Sequence, residues 1–158
     1  IDDVKNLANN GITVLGVFNL FQILVESNLL PGVLLKNDTL NFMCQWTNLI
    51  VKNNKTSFTN KLLLNQEIPI PIANGEGQYY AHSQLLHDLK KNNQIVFTYQ
   101  NNVNGSAEQI AGVCNEDGNV VGMMPHPERA AESEINPINN KPSSIIFESL
   151  IQTLGAKN

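Results

Sequence analysis

The sequence has 158 residues, of which 42% are hydrophobic and only 15% are charged. This composition is typical of a globular chain and excludes intrinsic disorder, and the length fits one domain spanning residues 1–158. The formal net charge is −4 and Arg129 is the only arginine, so the basic patch that nucleic-acid binding requires is not expected.

The two cysteines, Cys44 and Cys114, have no spacing typical of a metal site or a redox motif. Both fall in apolar segments, where we expect them to pack as small hydrophobic side chains. No apolar run approaches the length of a membrane span, about 18 residues, and we expect no signal peptide. These features predict a reduced, cytoplasmic protein without a membrane segment and without a metal.

The predicted elements begin with an apolar, partly β-branched run at residues 12–18, which is typical of a buried strand, followed by a helix at 20–27. Further strands are predicted at residues 41–51, 68–72, 94–99, 109–114 and 119–124, and further helices at 82–91 and 143–154. Prolines within 68–72 place that strand at a sheet edge. The pattern predicts an α/β fold with a layered, mostly parallel sheet flanked by helices.

The densest polar segment is Met-Met-Pro-His-Pro-Glu-Arg at residues 123–129, directly after a predicted strand. His126 and Glu128 are two residues apart, so the carboxylate can fix the imidazole tautomer and make His126 a general base. The two prolines would stiffen this loop. An ordinary turn with an exposed histidine is the alternative.

A second polar segment, residues 71–79, carries two glycines around Glu76 and predicts a loop with unusual backbone angles. It is either an ordinary surface loop or a loop at the edge of a substrate or partner site. Residues 104–106, Asn-Gly-Ser, favour a turn, and a contact with a ligand is the less favoured interpretation. His82 and His87 are five residues apart on a predicted helix, which does not place them on a shared face for a metal, so we expect solvated surface residues.

Several segments occur together in the order of a known family. They are Leu-Gly-Val-Phe-Asn-Leu-Phe-Gln-Ile-Leu (15–24), Leu-Leu-Pro-Gly (29–32), Ile-Pro-Ile-Ala-Asn-Gly-Glu-Gly (70–77), Asn-Gly-Ser (104–106), Ile-Ala-Gly-Val (110–113) and Gly-Met-Met-Pro-His-Pro-Glu-Arg-Ala (122–130). The chain therefore resembles the glutaminase subunit of phosphoribosylformylglycinamidine synthase, a class I glutamine amidotransferase of purine synthesis with a flavodoxin-like sheet. The last motif argues against the branches that feed guanine or carbamoyl phosphate synthesis.

The resemblance implies a role for each matching residue. A cysteine at the position of Phe18 would attack the side-chain amide of glutamine, His126 would transfer the proton, and Glu128 would orient His126. The backbone N–H of Asn19 would help to form an oxyanion hole, and Gln22 would lie near the glutamine. Ammonia would pass to a synthetase subunit that uses ATP and Mg²⁺, in a complex with a small accessory subunit, and this chain would need no cofactor.

Two departures from the family pattern concern the nucleophile. Where the family has Gly-x-Cys-x-Gly, residues 16–20 read Gly-Val-Phe-Asn-Leu. Phe18 cannot form a thioester, and Leu20 replaces a glycine that favours a sharp turn. Because loss of a triad nucleophile costs about 10⁶-fold in rate, we expect this chain to be nearly inactive as a glutaminase. Asn74 also replaces a histidine that is common in the family.

The sequence therefore allows two interpretations of whether the chain is an enzyme. It is either a glutaminase by descent, or an inactive module that only docks on the synthetase, in which case Glu76, Tyr79 and Arg129 would serve the interface. The family domain also has strands and a glycine-rich loop before the nucleophile strand, whereas this sequence starts with Ile1-Asp2-Asp3. We expect an N-terminally truncated domain that lacks its first strands and has its nucleophile strand at an exposed edge.

Overall fold

A computed structural model of the chain describes residues 1–132 and 144–155. The strands in these residues are β1 (Val14–Val17), β2 (Val33–Leu35), β3 (Met43–Val51), β4 (Glu67–Asn74), β5 (Gln78–Tyr80), β6 (Ile95–Tyr99), β7 (Ile110–Cys114) and β8 (Val120–Met123). The α helices are α1 (Asp2–Asn9), α2 (Asn19–Glu26), α3 (Ser83–Lys91) and α4 (Ile145–Gly155). Every predicted element is present, although the predicted start of the last helix at Ser143 lies outside the described residues.

The main sheet has six strands in the order β1-β8-β7-β6-β3-β4, and β2 and β5 form a separate two-stranded ribbon. Strand β4 lies at the edge of the main sheet, as the prolines within it predict. β1 and β8 run parallel, whereas the other four pairings are antiparallel. The sheet is thus mixed and not mostly parallel, because short connections such as residues 115–119 between β7 and β8 can join only antiparallel neighbours.

Two apolar cores lie on the two faces of the sheet. Helices α1, α2 and α3 cover one face, where Phe21, Leu24 and Leu89 are fully buried, and α4 contributes Ile146 to the core on the other face. In β8, Val120 belongs to the first core and the next residue to the second, so the strand is buried on both sides. This burial confirms the predicted α/β class, with helices layered on both faces of a sheet.

Helix α2 packs unusually close to the sheet through two glycines. A Cβ atom at Gly16 of β1 would overlap the side chain of Leu24 and lie 3.2 Å from the backbone nitrogen of Phe21. A Cβ at Gly122 of β8 would overlap the ring of Phe21. The two glycines therefore set the distance between α2 and the β1–β8 pair, and with it the position of the turn that connects β1 to α2.

Strand β1 pairs with β8 and with no other strand in the described part of the chain. Leu15 and Val17 are accordingly half-buried, and the predicted edge position of this strand is confirmed for the described residues. Among the helices of the described residues, none has the length and apolar character needed to cross a lipid bilayer.

The two cysteines differ in their surroundings. Cys114 is buried in β7, as expected, and burial raises the pKa of its thiol to about 11. Cys44 is exposed, so the expectation that it packs as a hydrophobic side chain is wrong. It lies in the first half of β3, which pairs with β4 but not with β6, because the β6 pairing begins only at Leu49.

This difference predicts selective labelling. In the native protein at pH 8, iodoacetamide should modify Cys44 and leave Cys114 unmodified, because reaction requires an accessible thiolate. Intact mass should show one adduct for the native chain and two after unfolding in guanidinium, and Cys44→Ser should abolish the native adduct. Two adducts on the folded chain would contradict the burial of Cys114.

Candidate active site

The turn between β1 and α2 has the geometry of a nucleophile elbow, although no nucleophile is present. Phe18 adopts φ 53° and ψ −112°, a positive-φ conformation that is rare for a bulky residue. Its N–H donates to the carbonyl oxygen of Met123 at the end of β8, at 3.0 Å. Asn19 begins α2, so its N–H is among those that have no acceptor within the helix. The sharp turn is formed with Leu20 at the position where the family pattern has a glycine.

His126 follows β8 and is held in place by its backbone and by a carboxylate. Its N–H donates to the carbonyl oxygen of Pro71 at 2.9 Å, and its Nδ1 lies 2.7 Å from Oε1 of Glu128. A carboxylate at Nδ1 keeps the ring proton on that nitrogen and leaves Nε2 as a base. The side chain of His126 is buried, so the alternative of an exposed histidine in a turn is wrong.

The surroundings of the pair are asymmetric. Glu128 is half-exposed and also lies 3.6 Å from Nε of Arg129, whereas Nε2 of His126 is buried and has no hydrogen-bond partner among the described residues. A buried ring nitrogen without a partner is uncommon, because burial without a hydrogen bond costs free energy. The arrangement leaves Nε2 able to accept a proton from a neighbouring group.

The neighbour that the structure provides is Phe18. The rings of Phe18 and His126 have centroids 5.4 Å apart and are tilted by 42°. The structure therefore brings together the three residues that the sequence analysis placed in a catalytic triad, Phe18, His126 and Glu128. An aromatic ring occupies the position beside the imidazole where a thiol would be needed.

Gln22, one turn into α2, connects this region to the loop that follows β4. Its Nε2 donates to the backbone carbonyl oxygen of Glu76 at 3.2 Å. The side chain of Glu76 itself is exposed. The glycine-containing loop at 74–77 thus contacts the helix that follows Phe18, which favours a loop at the edge of a substrate or partner site over an ordinary surface loop.

Buried side chains of residues 104–106 form hydrogen bonds with the backbone of this loop and of the start of β5. Asn104 donates to the carbonyl oxygen of Gly77 at 2.7 Å, and Ser106 accepts from the N–H of Tyr79 at 3.0 Å. Residues 104–106 therefore form a turn whose side chains bind the neighbouring loop. Asn37 bonds to the same loop and was not singled out in the sequence, because one of 24 asparagines carries no distinguishing pattern.

Two other sequence interpretations have clear outcomes. Tyr79 cannot serve an interface in this structure: it is buried, its hydroxyl donates to the carbonyl oxygen of Pro31 at 2.8 Å, and burial raises the pKa of the phenol. Alternation along β5 turns Tyr80 to the solvent instead. His82 and His87 are exposed as predicted, and Nδ1 of His82 accepts from the N–H of Leu85 at the start of α3. Within residues 1–132 and 144–155, no three His, Cys, Asp or Glu side chains are grouped as metal ligands would be.

Comparison with known proteins identifies the family. The model of the CobB/CobQ-like glutamine amidotransferase domain matches residues 1–152. The chain belongs to this family. The resemblance seen in the sequence is thereby confirmed at the level of the family.

Solved structures support the same fold. The structure of PurLQS from Thermotoga maritima matches with a TM-score of 0.84 and 42% sequence identity, over 96% of this chain and 66% of that chain. A candidate GMP synthase protein from Thermoplasma acidophilum matches with a TM-score of 0.62 and 12% identity, over 97% and 62% of the two chains. A glutamine amidotransferase from Thermotoga maritima matches with a TM-score of 0.55 and 14% identity, over 99% and 54%. These matches confirm the predicted glutamine amidotransferase-like fold. This chain spans less than two thirds of the length of each matched chain.

Proposed function

We propose that this chain is a glutaminase subunit of phosphoribosylformylglycinamidine synthase in which the histidine–glutamate pair is kept and the covalent step is lost at Phe18. The observation that carries the proposal is the buried His126, 2.7 Å from Glu128 and beside an elbow at Phe18. The 42% identity to PurLQS over 96% of the chain supports this branch of the family.

The chemistry of the intact site follows from these positions. With a cysteine at position 18, Nε2 of His126 would take the thiol proton, and the sulfur would attack the side-chain carbonyl carbon of glutamine. The oxyanion would be stabilised by the N–H of Asn19, and collapse would release ammonia as His126 returns the proton to the leaving nitrogen. Water would then hydrolyse the thioester to glutamate. Phe18 has no acidic proton for His126 to remove and no sulfur with which to attack the carbonyl carbon, so the first step cannot occur.

The proposed partners follow from the product. Ammonia would be consumed by a synthetase subunit that uses ATP and Mg²⁺ to amidate formylglycinamide ribonucleotide, in a cytoplasmic complex that includes a small accessory subunit. This chain would bind glutamine and contribute no cofactor.

A second candidate function is an inactive module that only docks on the synthetase. The packing of Phe18 against His126 favours it, because the ring fills the space beside the imidazole. In this case the exposed Glu76 and Arg129 would matter for the interface, whereas the buried Tyr79 would not.

An electrophilic glutamine analogue tests the proposed site. The wild-type chain should gain no covalent adduct by intact mass, Phe18→Cys should gain one, and Phe18→Cys with His126→Ala should gain it far more slowly. The reason is that only a thiolate activated by His126 reacts readily with the analogue. Cys44→Ser in each variant removes the exposed thiol that would otherwise react by itself.

Two outcomes would count against the proposal. A Phe18→Cys chain that folds but labels no faster than its His126→Ala counterpart would show that no glutaminase site is retained. Co-elution of the wild-type chain with a synthetase subunit, combined with that result, would favour the docking module instead.

A further inference from the structure

We infer that Asn37 is a positioning residue that fixes the loop at 74–77 so that the carbonyl oxygen of Glu76 holds the side chain of Gln22. The inference rests on the proposed function in one respect, namely that Gln22 lies at the glutamine site. The mechanical link from Asn37 to Gln22 depends only on the contacts of the described residues.

Asn37 bonds to both ends of the loop. It is fully buried; its Nδ2 donates to the carbonyl oxygen of Asn74 at 2.9 Å, and its Oδ1 accepts from the N–H of Gly77 at 3.0 Å. Its backbone N–H donates to the carbonyl oxygen of Gly75 at 3.0 Å. One residue thus contacts three of the four residues of the loop, on both sides of Glu76.

The remaining loop residue makes the contact to the site. The carbonyl oxygen of Glu76 accepts from Nε2 of Gln22, which is 54 residues away in the sequence. Gln22 lies four residues after Phe18, so the same turn of α2 carries the elbow and the amide. Displacement of the loop would therefore release the side-chain amide of Gln22.

Other contacts hold the two ends of the loop separately: Asn74 is the last residue of β4 and pairs with Met43 of β3, and the carbonyl oxygen of Gly77 also accepts from Ser106 at 3.4 Å. The side chain of Asn74 is buried, yet neither its nitrogen nor its oxygen has a hydrogen-bond partner among the described residues. A Cβ at Gly77 would overlap Oδ1 of Asn74, so the chain is already in close contact there. Asn104 holds the carbonyl oxygen of Gly77 only, which fixes one end. Asn37 is the side chain that bonds to both ends at once.

A nuclear magnetic resonance experiment on the wild-type chain tests the link without any catalysis. The side-chain amide resonance of Gln22, assigned by its loss in Gln22→Ala, should move in Asn37→Ala. The matched control is Asn119→Ala, since Asn119 also bonds two backbone carbonyl oxygens, those of Ala8 and Ile12, but lies away from the loop. Its removal should leave the Gln22 resonance in place.

Substrate binding provides a second measurement, in the Phe18→Cys background. Asn37→Ala should raise the concentration of glutamine analogue at half-maximal labelling by about tenfold, the size expected when one hydrogen bond to a bound group is lost, and should leave the maximal rate nearly unchanged. Gln22→Ala should have a similar effect, and the double variant should be no worse than either single one, because both remove the same interaction. A purely structural role would give additive effects.

Each outcome decides the inference. A folded Asn37→Ala chain in which the Gln22 resonance does not move would overturn it, as would additive effects in the double variant. If Asn37→Ala does not fold, Asn37→Asp keeps the acceptor for Gly77 and removes the donor to the carbonyl oxygens of Asn74 and Asn41, and the same shift is expected. A moved resonance together with no labelling of Phe18→Cys would leave the mechanical link intact and reject the proposed function alone.

Discussion

Replacing Phe18 with cysteine is expected to raise glutamine-dependent ammonia release by at least about 10³-fold over the wild-type chain, measured with the synthetase subunit present. The physical reason is that the elbow, the base and its carboxylate are already in place. Removing a triad nucleophile costs about 10⁶-fold in rate, so restoring it should recover a large part of that factor. The wild-type chain should remain near the rate of the synthetase alone.

Two further variants make this result interpretable. His126→Ala in the Phe18→Cys chain should return ammonia release to the wild-type level, because no base would remain for the thiol. Leu20→Gly added to Phe18→Cys should give less than about a further tenfold, since the turn is already formed with leucine at that position. A strict requirement for Leu20→Gly would contradict the geometry of the elbow, and failure of every variant in a folded complex would reject the glutaminase assignment.

Gly16→Ala is expected to lower the free energy of unfolding by about 3 kcal/mol. The added methyl group would overlap the fully buried Leu24 and press on the backbone at Phe21, so the whole of α2 must move away from β1. The unfolding temperature should fall by roughly 10 °C, given about 2–4 °C per kcal/mol for a chain of this size. Chemical denaturation followed by circular dichroism would give the free energy directly.

Gly155→Ala is the matched control, because a Cβ there meets no atom within 4 Å and the residue lies in α4. Alanine has the higher helix propensity, so this change should be neutral or stabilising by up to about 1 kcal/mol. Equal losses at both positions would show that close packing of α2 is not the cause. In the Phe18→Cys chain, Gly16→Ala should also reduce labelling, because the elbow moves with the helix.

The sequence predicted the strands of the main sheet because their apolar runs are short, β-branched and bounded by turn residues. It did not predict the ribbon of β2 and β5, since three-residue strands have too little pattern to recognise. The direction of the pairings was also missed. Parallel and antiparallel strands that are buried on both faces have similar apolar runs, and only the lengths of the connections distinguish them.

The candidate site shows the same division. His126 and Glu128 could be predicted because a local motif brings them together, two residues apart and after a strand. Asn37 could not, because its partners lie 37 and 40 residues away and its residue type is the most over-used in the chain. The docking alternative included Tyr79 among its interface residues, because nothing local indicates which of two adjacent tyrosines faces the core.

The positive-φ backbone at Phe18 has a consequence for the history of the chain. A bulky residue in this conformation strains the backbone, and such strain is typically kept where a functional site needs it. The two codons for phenylalanine each differ from a cysteine codon by one base, at the second position. With the backbone and the buried pair still in place, an inactive and an active form of this protein would be separated by a single point mutation, in either direction.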